Sequence, residues 1–187
     1  MIRLPRTIRL DASDAVVFAC AAEPGEWAVA GTFLFAGRPA ETLSRKEQIA
    51  FRTGFLGIES FGHSTLVVVS EATEEEGAGA VEALARQLVA RLGAPDLAVA
   101  RPAAEEEIAL AQDLCRGHAV GTLVALYRSR EDGAIREQFR TLKPRDETAF
   151  SAGYLRGHDR AFSMVETDED DAEGHQVSLV KLTERGP

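Results

Sequence analysis

Apolar positions recur along this chain with two different periods, and these divide it into strands and helices. Residues 6–10 and 15–20 alternate or run apolar on either side of Asp11-Ala-Ser-Asp14, which predicts two short strands around a turn. After a second turn signal at Glu23-Pro-Gly-Glu26, period two places Trp27, Val29, Gly31, Phe33 and Phe35 on one face of a third strand. Ser44-Arg-Lys-Glu47 is a capping box, in which the serine accepts from an amide three residues on and the glutamate reaches back. It opens a short helix with Ile49, Phe51, Phe55 and Leu56 as its apolar set and Gly54 and Gly57 at its end. The β-branched run within residues 64–70 is too short for a helix and predicts a buried central strand.

A second capping box, Thr73-Glu-Glu-Glu76, opens a longer helix. There Val81, Leu84, Ala85, Leu88, Val89 and Leu92 keep helical spacing, Glu82 and Arg86 form an i,i+4 pair on the wet side, and Gly93 is the stop. Pro102 predicts the first position of a further helix with Ile108, Ala111, Leu114 and Cys115 on its inner face and Gly117 at its end. Residues 121–130 and 134–142 predict a hairpin around Glu131-Asp-Gly133. Beyond it, a single helical turn is expected near 147–154 and strands at 161–166 and 176–182, with an acidic, solvated loop at 167–174 between them. No repeat or linker divides residues 1–187. The pattern therefore predicts one α+β domain, a mostly antiparallel sheet with two or three helices packed on one face.

Composition narrows the functional classes. An apolar share of 45% against 27% charged residues is that of an ordinary folded domain. A net charge of −9 argues against a general nucleic-acid binder and against a polybasic membrane-surface protein. No run of 18 apolar residues predicts a membrane helix, and the N-terminus has no apolar stretch of the secretory kind. Cys20 and Cys115 then read as two buried, reduced thiols in a cytoplasmic protein.

Candidate chemistry is sparse. The acidic loop starting at Asp168 fails the calcium-loop pattern, because Ala172 falls where a ligand is required. Cys115-Arg-Gly-His118 has the types and spacing of half a zinc site, but His63, His158, His175 and Cys20 are scattered and supply no second pair. Gly62-His-Ser64 lacks the rest of a nucleophile elbow, and no phosphate-binding glycine loop occurs. Arg128, Arg130, Arg136 and Arg140, followed by Lys143 and Arg145, make a basic strip on the hairpin. Guanidinium forks match carboxylates and phosphates, so the strip suits an anion or an acidic partner; the plainer account is a wet sheet face balanced by Glu131 and Glu137. The loop around Tyr154 and His158 has the polarity to line a site. Trp27 and the phenylalanines of the first third are a core cluster or an apolar groove.

The stretches Arg6-Thr-Ile-Arg-Leu-Asp11, Ala22-Glu-Pro-Gly-Glu-Trp27, Gly54-Phe-Leu-Gly-Ile-Glu-Ser-Phe-Gly62, Ser64-Thr-Leu66 and Arg136-Glu-Gln-Phe-Arg-Thr-Leu142 stand together here. As a set they resemble an uncharacterised, mainly proteobacterial family, a domain of unknown function, over nearly the whole chain. The resemblance brings no catalytic residues and implies an accessory role beside a redox or cofactor-dependent enzyme system. The expected function is thus a non-catalytic accessory or binding protein of the bacterial cytoplasm. Its binding residues are expected among Arg128, Arg136, Arg140, Trp27 and His158, with a protein or a small acidic ligand as partner and a homodimer as the form. The alternative is a small enzyme with a non-standard site involving His63, Cys115, His118 or His158. No cofactor, nucleic acid or membrane is expected, and a metal would fall to Cys115 and His118.

Overall fold

The computed structural model describes residues 1–144 and 164–167. They fall in two units, Met1–Phe139 and Arg140–Pro187. The first is α+β. In chain order it holds β1 (Ile2–Ile8), α1 (Ser13–Val17), β2 (Ala28–Val29), α2 (Arg45–Thr53), β3 (Phe55–Gly57), β4 (His63–Ser64), β5 (Leu66–Ala72), α3 (Glu74–Leu92), α4 (Leu97–Cys115), β6 (Leu123–Glu131) and the start of β7 (Ala134–Pro144). β1, β5, β6 and β7 lie side by side in that order, while β2, β3 and β4 form a small second sheet. Pairing is antiparallel from β1 to β5, from β5 to β6 and within the small sheet. A bridge between Arg6 and Trp27 links the far edge of β1 to the start of the small sheet. In the second unit the end of β7 pairs antiparallel with β8 (Met164–Thr167), in a register running from Thr141↔Thr167 to Pro144↔Met164.

The elements with strong local signals form where the pattern puts them. Both capping boxes close: Ser44 accepts from the Glu47 amide and Thr73 from the Glu76 amide, and each glutamate returns the bond. Gly93 ends α3 in the left-handed conformation. Asp132 and Gly133 both have positive φ, which is the turn that an Asp-Gly hairpin requires. β5 is central, but alternation buries only one of its faces. Val67 and Val69 point inward with Val124 and Leu126, while Leu66 and Val68 stay half-buried.

Four expectations need correction. Residues 15–20 hold no strand; α1 occupies Ser13–Val17, started by the Asp11 carboxylate accepting from the Ser13 amide at 2.8 Å. The strand expected over 27–35 ends at Val29, because Gly31 turns left-handed and a 3-10 turn follows over Thr32–Phe35. Gly31 is required there: a β-carbon would stand 2.6 Å from Leu56 Cβ. Phe55 and Leu56 lie in β3 and not in the preceding helix. Pro102 lies inside α4, whose N-cap is Asp96, bonded to the Val99 amide at 2.9 Å.

Helices α3 and α4 pack on each other and on β1. Leu84, Leu88, Ala104, Ile108 and Ala111 form one core with Leu4, Val29, Leu56 and Ile58. Glu82 pairs across to Arg101 of α4 at 2.7 Å, a longer-range partner than its helical neighbour Arg86. A second core holds Ala28, Phe55, Val67, Val69, Cys115, Val124 and Leu126, and a third holds Phe18, Phe35, Leu43 and Ala50. The helical turn near 147–154, the strand at 176–182, the loop at 168–174 and His158 lie outside the described residues.

Candidate functional site

Alternation along β6 sends Arg128 inward with Val124 and Leu126, so it leaves the basic strip to which its sequence position assigns it. It is 1% exposed, the largest fully buried side chain of the described residues. A buried guanidinium is tolerable only when its charge and its donors are met. Nε donates to Thr32 Oγ1 at 2.8 Å and to Glu137 Oε1 at 3.1 Å. Nη1 donates to the carbonyls of Phe51 at 2.9 Å and Gly54 at 3.1 Å, with Ala50 further off at 3.4 Å, and Nη2 donates to Ala30. Thr32 in turn donates to Glu137. Three of these carbonyls belong to the last turn of α2 and its cap, where a cation also meets the negative end of the helix dipole. Burial pulls the guanidinium pKa down, and the hydrogen bond and charge of Glu137 oppose this.

Two titratable groups lie within the field of this pair. Burial, with Glu137 and Glu106 adding repulsion, raises the Glu107 carboxyl of α4 to about 7, while Arg128 pulls the other way. His63 of β4 sits with its ring 5.6 Å from that of Phe18 and 6.3 Å from that of Phe35. Burial, and then the charge of Arg128, lowers His63 to about 4, so the imidazole is neutral at pH 7. Glu107, Glu137 and Thr32 carry no sequence motif; the β6–β7 hairpin brings Glu137 to Arg128, the turn after β2 brings Thr32, and the packing of α4 brings Glu107 into range.

The other candidates are separate. Cys115 is buried in the second core, and burial pushes its thiol up to about 12, which makes it a poor nucleophile and a protonated ligand. Its carbonyl accepts from the His118 amide at 3.3 Å in the turn after α4. Among the described residues no group of three or more His, Cys, Asp or Glu is placed to hold a metal. Cys20, expected to be buried, is exposed, because the stretch around it leaves α1 as an irregular surface segment. Trp27 lies under the Arg6 guanidinium, 3.5 Å from ring centre to Cζ, and packs at the margin of the first core.

Arg136 keeps the exposed position expected of it. Because Glu137 turns inward to Arg128, alternation turns Arg136, Gln138 and Arg140 to the outer side of β7. Arg136 meets Glu131 at 2.7 Å, both well exposed. The register of β5 and β6 puts Leu66 opposite Ala125 and Val68 opposite Leu123 on that outer side, and Tyr127 continues the row at 44% exposure. None of these five belongs to a buried cluster.

No helix of the described residues is long and apolar enough to cross a membrane. No curated protein and no solved structure matches the chain. The model of a family of unknown function, DUF6505, matches residues 1–155, most of the chain, and the chain belongs to that family.

Proposed function

We propose that this chain is a non-catalytic binding protein that takes a protein partner on the outer face of β5, β6 and β7. The observation that carries the reading is the row Leu66, Val68, Leu123, Ala125 and Tyr127, which stands partly exposed over β5 and β6 beside Arg136 and Gln138. An aromatic ring and an arginine beside an apolar patch are the side chains that contribute most to protein–protein contacts. The Arg136–Glu131 pair is exposed, so it contributes little to stability and exchanges readily for a partner's carboxylate. The groups with catalytic potential point the other way: the donors of Arg128 are bonded within the fold, and the Cys115 thiol is held protonated. We place the protein as an accessory factor of the bacterial cytoplasm serving a redox or cofactor-dependent enzyme system, a setting that rests on the family resemblance.

A photo-crosslinking residue at position 127 of the full chain, expressed in its host, tests this. The expected result is one discrete product, identified by mass, that disappears with Arg136→Glu, and none from the same label at Leu110 on α4. No product from position 127, or the same product from both positions, removes the support for this face. A product of twice the chain mass assigns the face to a second copy.

A further inference from the structure

We infer that residues 30–54 form a strap that opens as a unit while both sheets, α3 and α4 stay folded. Val29 of β2 pairs with Leu56 of β3, so the two ends of the segment are held together by bonds outside it. An excursion of this kind lifts away without breaking a strand. It contains two 3-10 turns, Thr32–Phe35 and Ala40–Thr42, and α2. α2 buries only Ala50 fully, which is the sparse packing of a segment with low local stability. Phe35, Leu43 and Ala50 make their own cluster with Phe18, and only Phe33 and Leu34 reach the core beneath α3 and α4.

Two arginines of β6 supply the polar fastening. Arg128 donates to the carbonyls of Ala30, Ala50, Phe51 and Gly54 and to the Thr32 hydroxyl, and Arg130 donates to the carbonyls of Arg38 at 2.6 Å and Phe35 at 3.2 Å. Their carbonyl partners therefore all lie in the strap, whereas the counter-charge of Arg128 does not: Glu137 is on β7, beside β6. Lifting the strap leaves that ion pair whole and gives the freed N–H groups to water. It strands no bare charge, the outcome that makes breaking a buried pair costly. Opening uncovers both guanidiniums and the face of His63 that meets Phe35.

Hydrogen exchange of the full chain at low urea, read by mass spectrometry, tests the strap. Amides of residues 48–54 are expected to exchange through an opening that is far more frequent than that of residues 83–92 in α3 and less dependent on urea. Arg130→Met removes both of its bonds to the strap and is expected to speed exchange at 48–54 by ~10-fold or more, and to leave 83–92 unchanged. Equal opening of the two regions, or equal acceleration by Arg130→Met, overturns the strap. Early opening of α2 that ignores Arg130→Met overturns the arginine fastening.

Discussion

Asp14 shows what a single residue decides in this molecule. Its carboxylate accepts from the Thr65 amide at 3.1 Å and from the Thr65 hydroxyl at 2.6 Å, joining α1 to the corner before β5. In the sequence it reads as one more polar residue of a turn, because nothing local announces a partner at Thr65. Asp14→Ala leaves a half-buried amide without its acceptor and is expected to cost about 1–3 kcal/mol, with Asp14→Asn costing about half of that. Urea unfolding of both variants checks this, and equal losses would show that the acceptor is not what matters. Arg128 makes the same point more sharply. Period two separates it from Arg136 only if the hairpin register is known, and even then an arginine facing inward contradicts every compositional expectation. Its acceptors come from the end of α2 and the loop after β2, which no sequence spacing connects to β6.

At the scale of elements, local chemistry was a good guide wherever a cap or a tight turn carried it. Both capping boxes, the Gly93 stop and the Asp-Gly hairpin form as read. The misreadings came where two signals competed. Pro102 looked like a first helical position, but Asp96 supplies the cap and the helix runs through the proline, which lacks the N–H for the Ala98 carbonyl. Pro102→Ala restores that bond, and the expected result is a gain of about 1–3 kcal/mol, seen as a higher Tm. A Tm that falls would mean that the ring itself packs usefully. The alternating aromatics after Trp27 suggested a long strand, but the steric fit of Gly31 against Leu56 diverts the chain after Val29. A period of two cannot distinguish a strand from a 3-10 turn that packs Phe33, Leu34 and Phe35 into two different cores.

For the whole molecule, the interior ionisable groups set the dependence of stability on pH. Glu107 rises from 4.5 to about 7, so between these values the folded chain holds a proton that the unfolded chain has lost. Its contribution is complete below pH 4.5 and is lost as pH rises through that window. His63 falls from 6.5 to about 4, so here the unfolded chain is the one that takes up the proton, and stability is lost as pH falls from 6.5 towards 4. The two slopes oppose each other between pH 4.5 and 6.5. His63→Phe is therefore expected to leave a chain that weakens as pH rises through this range, and Glu107→Gln one that strengthens. The wild type should be flatter than either. Urea midpoints across the range check this, and a wild type as steep as one variant would show that one of the groups is not buried as described.

The sequence by itself determined what short-range chemistry determines. It specified the α+β class, the N-terminal caps of α2 and α3, the Gly93 stop of α3, the interior position of β5 and the β6–β7 turn, most of which depend on residues within a few positions of one another. It also placed the chain in a family whose function is unknown. The tertiary structure alone decided which side of β6 faces inward, and so turned Arg128 from a surface cation into the fastening of α2 while Arg136 and Tyr127 stayed outside. It alone brought Glu107 and His63 into the field of Arg128, and joined β1 to the small sheet through Arg6 and Trp27. These outcomes follow from sheet pairing and desolvation between segments far apart in the chain, whose energies depend on burial that no local pattern encodes.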